Sequence, residues 1–193
     1  GFIESENNLA HEGDAWVSDN AHVYGDACVF DNARVYNNAF VSGYAQVYGN
    51  AFVYGDAWLY DSARVYGNAR VSDNASVSDN ARVSDNASVS DNARVYGNAR
   101  VYGDTCVCGR TNVCGDAEIS TDADYIVFKN WWSSGRYFTW TRSNNMWSVG
   151  CFYGTGEELI KKAYQDSKKS GLEYERIVHY VEDVLKSENN GNK

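Results

Sequence analysis

The chain has 193 residues, 44% hydrophobic and 15% aromatic, with 17 glycines, no proline and a formal net charge of −9. That apolar content excludes a disordered chain, and the length allows one sizeable core or two small ones. The acidic balance disfavours direct nucleic-acid binding through a general positive field and leaves only local basic stripes for it.

The opening GFIESENNLA has neither the basic start nor the apolar stretch of a signal peptide, and no apolar run approaches the roughly 18 residues of a membrane span. A soluble, cytoplasmic protein with no membrane contact is the expectation. Cys28, Cys106, Cys108, Cys114 and Cys151 are odd in number and lack paired zinc-site spacing, which fits free thiols in a reducing compartment.

From Val17 a six-residue beat begins and runs without a miss through Val23, Val29, Leu59 and Val113 to Ile119. A small residue stands two places before each aliphatic one, Ala15 through Ala99 and then Thr105, Thr111 and Ala117. Strand alternation puts that small residue and the aliphatic one on the inside and the neighbours of the aliphatic one on the outside. The last two positions of each hexad are mostly Gly, Asp or Asn, which tolerate tightly turned backbone. A hexad is therefore a short strand plus a corner, too small to bury a core unless its copies close on one interior and stack.

The hexads VYGNAR, VSDNAS and VYGDAW resemble the bacterial hexapeptide-repeat family over about residues 15–120. The resemblance implies a left-handed parallel β-helix with three hexads per triangular coil. The chain departs from the family in the slot after the aliphatic residue, which is frequently Tyr, as at Tyr24, Tyr36 and Tyr66. Eighteen hexads give six coils and a prism roughly 29 Å tall at strand spacing. Residues 1–14, with Leu9 in the small slot and His11 in the aliphatic one, read as a degraded hexad that caps the N-terminal end.

Sorting outward positions by face yields three candidate surfaces. Arg64, Arg82 and Arg100 stack at single-coil spacing; corner carboxylates such as Asp61, Asp79, Asp85 and Asp104 are their expected partners, with an anion-binding stripe as the alternative. Aromatic residues, among them Trp16, Phe40, Phe52, Trp58 and Tyr60, crowd the first half of the prism, whereas Ser72, Ser78, Ser84 and other serines follow. Such a belt marks an interface, here expected to be self-association as a dimer or trimer, with simple stacking ladders as the alternative. Asp73, Asp79, Asp85 and Asp91 ring one coil; turn chemistry accounts for them more simply than mimicry of a nucleic-acid backbone.

After Ser120 the beat stops. Residues 123–154 read as three antiparallel strands separated by WSSG and SNN turns. A two-residue turn at Asn144-Asn145 pairs Ser143 with Met146, puts Phe138, Trp140 and Arg142 on a face with Trp147, Val149 and Cys151, and sets Arg142 against Trp147. Thr155 and Glu158 form a capping-box signature for a helix ending near Gly171. LEYERIVHYVEDVLKS is a second amphipathic helix. The expectation is thus an α+β unit over 121–188 and a frayed tail over 189–193. FTWTRSNNMWSVGCFYGTGEELIKKAYQDS also resembles the C-terminal domain of hexapeptide-repeat proteins of phages and prophages.

Catalysis finds little support. Acyl transfer, common among β-helix proteins, needs a general base, but the three histidines, His11, His22 and His179, lie in unrelated parts of the chain and no loop interrupts the hexads. No metal or cofactor motif is present: Cys106 and Cys108 point outward while Cys114 starts on the next face. The expected function is non-enzymatic binding of a protein partner, in the sharper form a phage-type inhibitor of a bacterial defence protein such as a nuclease. An acyltransferase-like enzyme and a purely structural scaffold are the alternatives. Lys129, Arg136, Arg142 and Trp147 complete the candidate contact residues.

Overall fold

A computed structural model describes residues 1–191, with side chains to residue 188. Short strands from Phe2–Ile3 to Glu118–Ile119, nearly all of two residues, form three parallel sheets of seven, seven and six strands. From Trp16 on, each strand pairs with the one 18 residues further, as Val65 with Val47 and Val83, so three hexads make one turn, while Phe2, Ile3 and Leu9 before it pair at a separation of 20. The result is a parallel β-solenoid of about seven turns. Ala and Val from Ala21 to Val101 are 0–1% exposed and fill the interior.

Corners follow from backbone chemistry. The first corner residue is Asp, Asn or Gly at positive φ, from Asp19 at 53° to Gly97 at 74°. Asn side chains in the second position link successive coils: Asn32, Asn50, Asn68 and Asn86 each donate to the next, and the column ends on the carboxylate of Asp104.

The expected count of six coils is corrected by the N-terminal segment, which joins the sheets through Phe2–Ile3 and Leu9–Gly13. Leu9, expected in the small-residue slot, pairs with Val29 and so stands in the aliphatic one. The register shifts before Gly13, and the chain between them is accommodated as an irregularity that leaves His11 exposed.

Parallel coils have a direction, and the two ends are closed accordingly. In the bonds that flank each strand the N–H points toward the C-terminal end, as when Trp16 N donates to Ala33 O, so the last coil is left with donors of this kind and the first with the matching carbonyls; the last coil also offers Cys106 O, which accepts from the Tyr125 hydroxyl at 2.7 Å. Buried Asn8 covers the start, its amide donating to Gly25 O and Ala27 O at 2.9 and 2.8 Å. The finish receives one acceptor per face: Asp122 Oδ1 for Cys106 N, Thr139 Oγ1 for Asn112 N and Ser143 Oγ for Glu118 N, at 2.9, 2.9 and 2.7 Å. No sheet edge is left with its donors bare at these three points.

The C-terminal unit has four antiparallel strands, Tyr125–Lys129, Tyr137–Thr141, Met146–Val149 and Phe152–Gly154, one more than expected because Gly150 at φ 59° turns the chain back. Thr141, not Ser143, pairs with Met146. The loop is therefore four residues long, with Asn145 at φ 52°. A slip of two preserves the faces, so Phe138 and Trp140 still join Trp147 and Val149. That apolar face packs on Leu159, Ala163, Val178 and Val181 of helices α1 (Gly156–Asp166) and α2 (Lys168–Gly191). The opposite face, Thr139, Thr141 and Ser148, is polar yet buried, and its Thr139 hydroxyl caps the last coil.

The Thr155–Glu158 capping box is present. Helix α1 stops at Asp166, earlier than expected, because Ser167 is extended and its Oγ accepts from Ser170 N to start α2. Gly171 lies inside α2, where a Cβ would collide with the Tyr164 ring. Helix α2 continues to Gly191, into the segment expected to fray; residues 192–193 lie outside the described residues.

Candidate functional site

The 18-residue repeat of the solenoid turns outward residues into columns. On the first face Phe2, His22, Phe40 and Trp58 form a column at centroid distances of 5.4, 5.2 and 4.7 Å, with the His22 and Phe40 rings 4° from parallel and Phe2 tilted 45° to His22. Phe2 is 53% exposed and Trp58 48%, so this column presents apolar surface to water. Tyr60 and, on another face, Trp16 are exposed as well.

Other aromatics are engaged within the prism, while Tyr24 and Tyr44 stay exposed. Phe30, Tyr48 and Tyr66 stack at 4.8 and 5.0 Å, and Tyr36 on Tyr54 at 5.0 Å. Phe52 sits between two cations, Arg34 and Arg70, at 5.9 and 6.0 Å. Burial, followed by the neighbouring Tyr, raises the pKa of both Tyr36 and Tyr48.

Arg64, Arg82 and Arg100 stack as their spacing requires, but their expected corner partners do not answer them. Arg100 pairs with Glu118 at 3.3 Å, and Arg64 and Arg82 make no ion pair among the described residues. The corner carboxylates are occupied elsewhere: Asp73, Asp79, Asp85 and Asp91 accept from the backbone N–H of Asp91, Gly97, Gly103 and Gly109 at 3.4, 2.9, 3.2 and 2.9 Å. The acidic ring thus spends one oxygen per residue on joining adjacent coils.

In the C-terminal unit Arg142 is not set against Trp147. The two-residue slip puts Arg142 in the loop, where it pairs with Glu188 at 2.8 Å and donates to Ala123 O, while Trp147 is buried against the helices. The Glu188 hydrogen bond raises the Arg142 pKa and lowers that of Glu188. Cys114 is buried at the junction, and burial raises its thiol pKa; Tyr96 beside it is pushed up to about 12 by burial and then by Cys114. Among the described residues no group of three or more His, Cys, Asp or Glu side chains is placed to hold a metal.

Sequence reasoning missed one feature. A cleft of about 570 Å³ opens where the C-terminal unit meets the last coils, lined by Arg94, Arg110 and Arg136 with Asn92, Asn112 and Ser134. Its one legible signal is Arg110, which occupies a second corner position that elsewhere in the repeat carries Asn, Asp, Ser or Tyr. Arg136, singled out from sequence only as a basic residue among aromatics, is brought here beside two arginines of the solenoid.

A family model described as YdcK Beta solenoid repeat matches residues 45–61, 63–79 and 93–109. The three matched segments lie within the stacked coils and agree with the parallel pairing. The chain carries a β-solenoid repeat. Comparison with curated proteins and with solved structures gave no match. No helix among the described residues is long and apolar enough to cross a membrane.

Proposed function

We propose that the chain is a non-enzymatic interaction protein that offers the Phe2–His22–Phe40–Trp58 column to a protein partner. The observation that carries this reading is a continuous aromatic column, exposed at Phe2 and Trp58, on a scaffold whose interior is fully buried. A rigid strip loses little conformational entropy on binding. The alternative of acyl transfer is weakened by His22, whose ring is stacked on Phe40 and packed against a tilted Phe2.

The finer form of the proposal rests on the resemblance of the C-terminal segment to phage and prophage proteins. In that form the protein acts in the cytoplasm of a bacterial host as an inhibitor of a defence protein such as a nuclease, and self-associates as a dimer or trimer. Phe40→Ser with Trp58→Ser tests it, since both side chains point away from the core. The intact protein should inhibit a nuclease captured on it from bacterial lysate, and the double variant should lose most of that inhibition while melting within a few degrees of the parent. Undiminished inhibition by the variant would remove the aromatic strip from the account. Turnover of acetyl-CoA would favour the enzyme reading. Light scattering reads self-association separately, and a monomer at all concentrations rules out the dimer or trimer.

A further inference from the structure

We propose that the cleft at the junction of the solenoid and the C-terminal unit binds an oligophosphate group, held by Arg94, Arg110 and Arg136. The inference is independent of the aromatic strip, which lies on earlier coils. Three arginines from three segments line the cleft: Arg94 from a strand, Arg110 from the next corner and Arg136 from the loop before the strand Tyr137–Thr141. None of the three makes an ion pair among the described residues, and no Asp or Glu lines the cleft. Asp166 shares a narrow neighbouring crevice with Arg136, without an ion pair to it. In a chain of net charge −9, this is a local concentration of uncompensated positive charge.

The supports of these side chains are fixed. Gly109 N, beside Arg110, donates to Asp91 at 2.9 Å, and the Arg136 carbonyl accepts from Asn130 N at 2.7 Å. Arg94 N donates to Thr111 O at 2.8 Å in the sheet. The solenoid presents two of the fork-shaped donors and a backbone-bonded loop the third, and Asn92, Asn112 and Ser134 add neutral hydrogen-bonding groups. A volume of about 570 Å³ lies in the range of small-ligand sites.

Ligand class follows from charge and shape. A single carboxylate brings one negative charge and two oxygens, too few for three separate forks, whereas a chain of phosphates brings several of each. The aromatic ring in the cleft, Tyr137, already takes Arg110 and Lys129, each at 5.8 Å, so it adds cationic packing more than a free stacking surface for a base. Recognition is therefore of the phosphates, whether inorganic or nucleotide-borne.

Calorimetric titration of the intact protein with sodium tripolyphosphate, and separately with ATP, in low-salt buffer tests this. Saturable one-to-one binding of both is expected, with affinities within about threefold and weakening as salt is added. Arg94→Gln and Arg110→Gln should each weaken binding at least tenfold. Arg64→Gln, which removes the same charge on another face, should leave it unchanged. Arg136→Lys keeps the charge and loses the fork, and should cost several-fold. Circular dichroism identifies any variant that fails to fold, and Arg136→Lys then carries the comparison. Absence of saturable tripolyphosphate binding overturns the proposal, as does an equal loss in Arg64→Gln, or tight binding of a single-stranded oligonucleotide without any of tripolyphosphate.

Discussion

Each corner of the prism turns on a residue in the left-handed region, and Asp and Gly meet that demand differently. Asp79 sits at φ 55° and its carboxylate accepts from Gly97 N in the next coil, whereas glycine corners such as Gly97 have only the conformational freedom. Asp thus offsets a strained backbone with an inter-coil hydrogen bond. Replacing Asp79 by Ala removes the bond and keeps the strain; replacing it by Gly removes both. Asp79→Ala should therefore unfold at lower urea than Asp79→Gly, by about 1 kcal/mol once the greater flexibility of unfolded glycine is allowed for. The reverse order in equilibrium denaturation would mean that the corner is held by something other than its φ. Corners were legible in the sequence for this reason: few residue types fit them, so their chemistry repeats with the period.

Elements at the C-terminal end are shaped by the N–H groups they must cover. Asp124 fastens the turn after the last coil, accepting from Ser120 N, Ser120 Oγ and Thr121 N at 2.8, 2.9 and 2.8 Å. Burial pushes its carboxyl pKa up, but these donors outweigh burial and hold it below the ordinary value of 3.8. A depressed pKa in the folded state stabilises above the unfolded value and is lost as pH falls through the folded one. Asp124→Asn should therefore melt below the parent at neutral pH, and the gap should close under about pH 4; a gap of constant size would assign Asp124 a role without its charge. The strand faces of this unit were readable because alternation survives a slip of two, as Phe138 and Trp147 demonstrate. The register was not, because Thr141 Oγ1 bonds to Asn144 and Arg142 N to Asp124 O, contacts that widen the loop and have no counterpart in a local turn rule.

For the whole molecule, a stacked repeat is strong in its middle and exposed at its ends, since each coil touches only its neighbours. That architecture was legible because one period runs through 18 hexads; the arginine cleft was not, because Arg136 meets Arg94 and Arg110 only after a non-repeating unit lands on the last coil. The same landing sets the assembly state. Without residues 121–193, Cys106 N, Asn112 N and Glu118 N lose Asp122, Thr139 and Ser143, and inward Val107, Val113 and Ile119 lose their cover. Donors bared at one end of a copy then face carbonyls at the opposite end of another, a head-to-tail contact that does not close. A fragment of residues 1–120 should accordingly grow in mass without limit as concentration rises, by light scattering, while the full chain should stop at a closed dimer or trimer. The milder pair Thr139→Val and Ser143→Ala keeps the unit attached but removes two of the three acceptors, and should lower the melting temperature without open-ended growth. A fragment of constant mass would mean that the irregular first turn, with its bulge between Leu9 and Gly13, is by itself enough to block stacking.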